Sequence, residues 1–405
     1  MKVIVAHPGT QYSHQLVVQL DERKLLAGFH TGLAIAENGL AAFGLGFLPA
    51  VYRDRLANRR IKHVSSKRIY IYPALELAAL VKQRWGNPSE IVCHLRNEQF
   101  QHAIPQRLIE AAGAVIGFDT SSWILAQRSR QAGVPLILDQ SIGHPDSKAR
   151  IYEKANKDFP DWNLSVAPRL PMVRAAEQIE HEQAQLVIAA STFTQRTLIE
   201  NGVHPDRIRL NPYGVDLARF KPGPAPRAGP LRFIFVGSIS SRKGVPLLLR
   251  AWQELKSPDA ELWLVGPMSE SVRQLIPNLR GIRVFGSVPH EQITALLQQC
   301  DVFVFPSYFE GFGLVLLEAM ACGLPVITTT ATAGPDIDPE RAASWITEPG
   351  DLVGLLNAMG QCLADSGAVQ RMGVAAREIA ERNSWANYGQ RWAAILQAIK
   401  PAGSI

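Results

Sequence analysis

Glu310-Gly-Phe-Gly-Leu-Val-Leu-Leu-Glu318 sets two carboxylates eight residues apart, with a Gly-Phe-Gly turn after the first and an apolar run before the second. Upstream, Asp301-Val-Phe-Val-Phe-Pro-Ser307 has the continuous apolar character of a buried parallel strand and stops at a proline. Downstream, Met320-Ala-Cys-Gly323 ends a short helix, and Leu324-Pro-Val-Ile-Thr-Thr329 reads as the next strand. The unit is strand, loop, helix, strand. It predicts a parallel α/β sheet whose loop lies at the carboxyl edge, where open sheets bind ligands. Glycines let the backbone come close to a ligand, and the N–H groups that open a helix point at an anion. A carboxylate on either side suits hydroxyl groups flanking a phosphate. A nucleotide sugar has that chemistry.

The same alternation extends in both directions. Lys2–Ala6, Ala114–Phe118, Val134–Asp139, Gln185–Ala190 and Ile208–Pro212 read as strands, and Ser121–Ala132 as a crossover helix. Lys221-Pro-Gly-Pro-Ala-Pro-Arg-Ala-Gly-Pro230 holds four prolines and two glycines, so it reads as a linker. A second series of strands follows at Leu231–Val236, Glu261–Val265, Ile282–Phe285, Asp301–Phe305 and Pro325–Thr329. The expectation is two successive α/β domains, residues 1–222 and 223–384.

The whole chain narrows the function classes. Its 405 residues suffice for two or three domains, and 47% hydrophobic with 19% charged residues is ordinary for a soluble globular protein. No apolar run reaches the roughly 18 residues of a membrane span. Met1-Lys-Val-Ile-Val-Ala-His7 enters strand-like sequence without the apolar region and cleavage site of a signal peptide, so a cytoplasmic protein is expected. The four cysteines, Cys93, Cys300, Cys322 and Cys362, form no C-x-x-C pair and indicate neither a disulfide framework nor a zinc site. A net charge of +6 favours anionic partners. Arg53, Arg55, Arg59, Arg60, Lys62, Lys67 and Arg68 crowd one short segment. It reads either as a solvated face or as a peripheral contact, through residues 53–68, with an anionic membrane surface. Nucleic acid is not indicated, because no recognised binding module accompanies the patch.

Three segments together resemble the signature of the family 4 retaining glycosyltransferases. They are Glu310–Glu318, then Phe235-Val-Gly-Ser-Ile-Ser-Ser-Arg-Lys-Gly244 with the helical stretch after it, and Asn211-Pro-Tyr-Gly-Val-Asp-Leu-Ala-Arg-Phe-Lys-Pro222. The likeness covers most of residues 185–390 and thins toward the amino terminus. It implies the GT-B fold, two Rossmann-like doubly wound parallel sheets facing each other across a cleft, with the final helix, 385–399, crossing back to the first domain. It also implies hexose transfer from a nucleoside diphosphate sugar to a hydroxyl acceptor with retention, no metal and no separate cofactor. Acceptor classes are a polysaccharide, a lipid-linked sugar or a small metabolite.

Residue by residue, the resemblance makes Lys243 the pyrophosphate clamp. Ser238 stands where many relatives have a second cation, and Arg242 is the neighbour able to supply that charge. Fixed cations there stabilise the negative charge that develops on the leaving diphosphate. Gly313 and Leu314 supply backbone N–H groups to the same diphosphate. Glu318 resembles the acceptor of the ribose hydroxyls and Glu310 the residue facing the transferred sugar. His144, in the loop Gln140-Ser-Ile-Gly-His-Pro145, resembles the family histidine that meets the donor sugar from the first domain. Gly9, Thr10 and Gln11 occupy the place of the acceptor loop, while His7 and His14 read as turn residues.

Three patterns are set aside. Asp336-Ile-Asp338 spells a metal motif of a different glycosyltransferase fold, Gly44-Leu-Gly46 lacks the third glycine of a dinucleotide fingerprint, and Trp385 and Trp392 read as one packing face of a helix. Two rival functions remain at this point: a nucleotide-sugar epimerase of the same fold and a non-catalytic nucleotide-sugar-binding subunit.

Overall fold

The computed structural model describes residues 1–9, 12–36, 59–61, 63–84, 88–162, 169–224 and 229–399. The first half supplies β1 (Val3–Ala6), β2 (Leu26–Thr31), β3 (Ile35–Ala36), β4 (Arg60–Ile61), β5 (Ile69–Ile71), β6 (Ala114–Phe118), β7 (Leu136–Gln140), β8 (Leu186–Ala189) and β9 (Ile208–Leu210). The second supplies β10 (Leu231–Val236), β11 (Ala260–Val265), β12 (Ile282–Gly286), β13 (Val302–Phe305), β14 (Val326–Thr329) and β15 (Ser344–Thr347). Seven strands form one sheet in the order β5-β2-β1-β6-β7-β8-β9, and six form another in the order β12-β11-β10-β13-β14-β15. Neighbouring strands in both sheets run parallel. β3 and β4 pair separately.

Both sheets are helix-covered, which is why strands such as Val3-Ile-Val-Ala6 and Val302-Phe-Val-Phe305 are buried throughout and apolar on both faces. One apolar cluster runs from Leu16, Leu20 and Phe29 through Tyr213, Val215 and Phe220 to Phe233, Trp263 and Phe303 of the second sheet. A separate cluster with Phe100, Leu125, Leu138 and Leu198 covers the other face of the first sheet.

The sheets are joined twice. The chain crosses after β9, and again at the helix Trp385–Ala398, where Val215 and Ser384 form a parallel bridge. That helix packs on the first sheet's helix Ser13–Glu22: Gly389 lies against Gln19, and Arg23 donates to the Ala386 carbonyl at 2.8 Å. Arg391 donates to Asn211 Oδ1 at 2.8 Å. Trp392 is fully buried, and Trp385 packs against the same core.

The strands that sequence patterning does not predict are short or unusual. β2 reads Leu-Ala-Gly-Phe-His-Thr, whose glycine and alanine are poor strand formers, yet it lies next to β1 because its apolar side chains are needed there. β5 is a partly exposed three-residue edge strand. β15 closes the opposite edge of the second sheet. Cys300, Cys322 and Cys362 are buried and form no disulfide among the described residues.

Candidate active site

In the second sheet the strand order reverses between β10 and β13, so the loops leaving those strands part and open a crevice. Ser241–Lys243 forms one 3-10 turn after β10, ended by Gly244 at φ +74°. A Cβ on Gly244 would stand 1.9 Å from the Pro306 carbonyl oxygen, so only glycine lets the two loops touch. The loops are then laced together. Tyr308 N–H donates to the Arg242 carbonyl at 2.9 Å, and the Ser307 hydroxyl donates to it at 3.2 Å.

Three of the expected residues converge here. Arg242 Nη1 donates to Glu310 Oε1 at 2.6 Å and to the Phe309 carbonyl at 2.9 Å. Lys243 Nζ donates to the same Glu310 oxygen and stands 4.7 Å from the centre of the Phe305 ring. Their side chains are 24%, 13% and 10% exposed for Arg242, Lys243 and Glu310, so water screens them only in part. Burial pulls the Lys243 ammonium below its ordinary value, Glu310 opposes that, and Arg242 adds to it.

The helix Leu314–Ala321 starts beside this cluster. Its N-cap Gly313 has φ +85°, no side chain caps it, and its first turn holds no acid. Leu316 N–H donates to the Gly313 carbonyl at 2.9 Å, and the N–H groups of Gly313 and Leu314 ahead of it are the ones placed to meet an anion. Glu318 lies further along the helix, part-buried, with His290 Nε2 3.7 Å away. Tyr12, after β1, feels both glutamates. Burial first, then Glu310, Glu318 and Asp139, push its phenol up to about 12, so it remains an O–H donor at neutral pH. Tyr12 was not singled out in the sequence; its position directly after the acceptor-loop segment is the signal that could have found it.

The structure does not bring His144 to this cluster. Pro145 opens the helix Pro145–Asp158, and His144 caps it by accepting the Asp146 N–H at its Nδ1, 3.2 Å away. The ring lies 5.4 Å from that of His181, in a cavity of about 340 Å³ that Arg174, Glu177, Asn201 and Arg207 also line. Burial holds the His144 imidazole below its usual value. The neighbouring backbone reaches the second sheet instead. Gly311 lies so close to Ser141 that a Cβ would stand 1.9 Å from its carbonyl oxygen. The hydroxyls of Ser191 and Thr194 donate to the Gly311 carbonyl.

Gly9 N–H donates to His7 Nδ1 at 2.8 Å, a local turn, whereas His14 is a core residue edge-on to Phe29. Thr10, Gln11, Gly44 and Gly46 lie outside the described residues. Asp336 and Asp338 part company. Asp336 accepts from Thr192 N–H at 3.0 Å and caps the first sheet's helix Thr192–Glu200, while Asp338 accepts from Ala342 and Ala343 N–H and the Ser344 hydroxyl. In the basic segment, Arg59 bonds to Glu76 and Arg68 to Asp21, leaving Arg60 and Lys67 exposed; Arg53, Arg55 and Lys62 lie outside the described residues. No helix among the described residues is long and apolar enough to cross a membrane.

Residues 230–365, which hold Arg242, Lys243, Glu310 and Glu318, match the family described as glycosyl transferases group 1. Over 295 residues the chain is 28% identical to a GDP-mannose-dependent alpha-(1-6)-phosphatidylinositol monomannoside mannosyltransferase of Mycolicibacterium smegmatis, covering 67% of this chain and 76% of that one. Residues 230–365 are a group 1 glycosyltransferase domain. This glycosyltransferase is also 32% identical over 173 residues to glycogen synthase of Mycobacterium tuberculosis, covering 41% of this chain and 42% of that one. It therefore spans under half of that relative's length. Sucrose-phosphate synthase of Thermosynechococcus elongatus superposes with a TM-score of 0.67 at 20% identity, covering 98% of each chain. HepE of Anabaena, solved in complex with UDP and glucose, gives 0.64 at 18% identity, covering 98% of this chain and 100% of that one. These two carry the fold: the glycosyltransferase has the GT-B arrangement of two facing parallel sheets.

Proposed function

We propose that this glycosyltransferase moves a hexose from a nucleoside diphosphate sugar to a hydroxyl acceptor, with retention at the anomeric carbon and with no metal ion. The observation that carries this reading is the convergence of Arg242 and Lys243 on Glu310 beside the uncapped helix Leu314–Ala321. Two cations and a row of helix N–H groups on one crevice match a diphosphate, and they stabilise its charge as the glycosidic bond breaks without having to reorganise. Glu318 is the group for the ribose diol, since a carboxylate offers two oxygens to adjacent hydroxyls. Glu310 exchanges its cations for the sugar's hydroxyls as the diphosphate takes them over. Relatives that use GDP-mannose or were solved with UDP support the donor class.

The test is direct. Purified protein is incubated with UDP-hexoses and GDP-hexoses one at a time, and diphosphate release is followed. Steady release from at least one donor is expected. Tight binding of every donor without release makes the protein a binding module.

A further inference from the structure

The helix Pro73–Arg84 carries its charge inward and its apolar side chains outward. Its one carboxylate, Glu76, is buried under two guanidinium groups: Arg59 donates to one oxygen at 3.0 Å and Arg96 to the other at 2.9 Å. Leu75 packs on the core from the same inner side, and Ala79 is buried there too. Leu77, Leu80 and Val81, three and four residues apart, make up the outer side; Leu77 is 61% and Leu80 55% exposed. A surface helix that faces only water places these residue types the other way round. The apolar area continues on the edge strand β5 just ahead of the helix, where Tyr70 and Ile71 are also exposed. One exposed leucine is ordinary. Five large apolar side chains on two consecutive elements mark a contact surface.

The charge around this area decides what it faces. Residues 59–84 hold seven lysines and arginines and no carboxylate besides Glu76. Exposed Lys67 lies in the turn Ser66–Arg68 that leads into β5. Exposed Arg60 follows Arg59, whose bond to Glu76 holds that stretch against the helix. Lys82 is exposed directly after Val81. With Glu76 neutralised from within, the rim is cationic. Across a two-fold axis, a second copy would bring these cations against their own kind, which opposes association. An anionic lipid surface matches both features. Its headgroups meet the cations, its acyl boundary takes up the leucines and valine, and tyrosine suits the level between.

We propose that the outer face of the helix Pro73–Arg84, with β5 and the cations beside it, docks the protein on an anionic lipid bilayer. The helix lies in the plane of the interface, with Leu77, Leu80 and Val81 in the acyl boundary and Lys67 and Lys82 among the headgroups. The helix starts at the carboxyl edge of the first sheet, the edge from which the loop after β1 also leaves. Gly32 ties the two together: its N–H donates to the Pro8 carbonyl at 3.2 Å, and a Cβ on it would stand 3.2 Å from Glu76 Oε2. Docking thus brings the first sheet's crevice toward the interface, where a lipid-linked hydroxyl acceptor is presented. That consequence rests on the glycosyl-transfer reading, and the docking itself does not.

Co-sedimentation of the full chain with vesicles tests it, without donor or acceptor. Vesicles of phosphatidylcholine and phosphatidylglycerol in equal parts should bind the protein at least about tenfold more tightly than phosphatidylcholine alone, and binding should fall as salt is raised from about 0.1 M to about 0.5 M. Leu77→Gln with Leu80→Gln should lower affinity about tenfold while Tm stays unchanged, because both side chains are already exposed. Lys67→Gln with Lys82→Gln should lower it by about as much and flatten the salt dependence. No binding to either vesicle, equal binding to both, or unchanged affinity in the leucine variant overturns the proposal. A dimer in sedimentation velocity that the leucine variant abolishes also overturns it, since the face is then a contact between copies. Absence of diphosphate release from every donor would count against the transfer reading alone and leave the vesicle result standing.

Discussion

The two sheets share one strand order, apart from the extra edge strand β9 of the first, and differ in what they hold where it reverses. In the first sheet the reversal lies between β1 and β6, in the second between β10 and β13. The loops leaving β1 and β6 carry His7, Tyr12 and Asp119, and no lysine or arginine. Those leaving β10 and β13 carry Arg242, Lys243 and Glu310, followed by an uncapped helix start. Topology makes two crevices of the same kind, and side-chain charge is what leads the proposed function to put the diphosphate in the second. The first offers a phenol, an imidazole and one carboxylate, groups that suit a neutral, hydroxyl-bearing acceptor.

Lys243→Ala should break that contrast most strongly. Turnover at saturating donor should fall by roughly 100-fold, since one preorganised donor to developing charge is worth ~3 kcal/mol. An undiminished turnover number would take Lys243 out of the diphosphate site. Glu310→Gln sharpens the contrast in two directions at once. Transfer should drop by about tenfold, while UDP or GDP binds more tightly in calorimetry, because the diphosphate no longer competes with a carboxylate for Arg242 and Lys243. Weaker binding would mean that Glu310 shapes the clamp rather than occupying it. Glu318→Gln should weaken nucleotide affinity by about fivefold through lost charge-assisted bonds to the ribose, with the rate on bound donor nearly kept. Equal effects of the two glutamine variants would refute the division of roles.

Asp336 gives a smaller, pH-dependent effect at the contact between the sheets. Burial raises its carboxyl from 3.8 to about 6, against the two hydrogen bonds from Thr192. The folded protein then holds a proton that the unfolded chain has released. This contribution to stability is complete below about pH 4 and is lost as pH rises through about 6. The Tm of Asp336→Asn minus that of the unaltered protein should increase across that window and level off above it. A difference that stays flat from pH 4 to 7 would show that Asp336 is not desolvated in solution. Smallest of all is the expected effect of EDTA on turnover, which is none. Loss of activity that manganese restores would give the diphosphate a metal partner after all.

Most of the second domain was legible because its chemistry is local. Glu310, Gly313, Leu314 and Glu318 lie within nine residues, and a strand-loop-helix pattern orients them without help from elsewhere. Arg242 and Lys243 were legible for the same reason, but their shared hold on Glu310 was not, since it depends on Gly244 letting two distant loops touch. His144 has a local task in its loop that the sequence reading did not name. A histidine before a proline that opens a helix turns back to cap the next N–H, and that competes with reaching across a cleft.

Glu310 also governs which anions the crevice admits. Its carboxylate is covalently tethered beside Arg242 and Lys243, so it competes at an effective concentration that a dissolved ion at millimolar levels does not match. Chloride brings charge but no hydroxyl to receive the displaced carboxylate. A nucleotide sugar brings both: a diphosphate for the cations and hydroxyls for Glu310. On the proposed function, the ion pair works as a selectivity device against simple salts such as chloride.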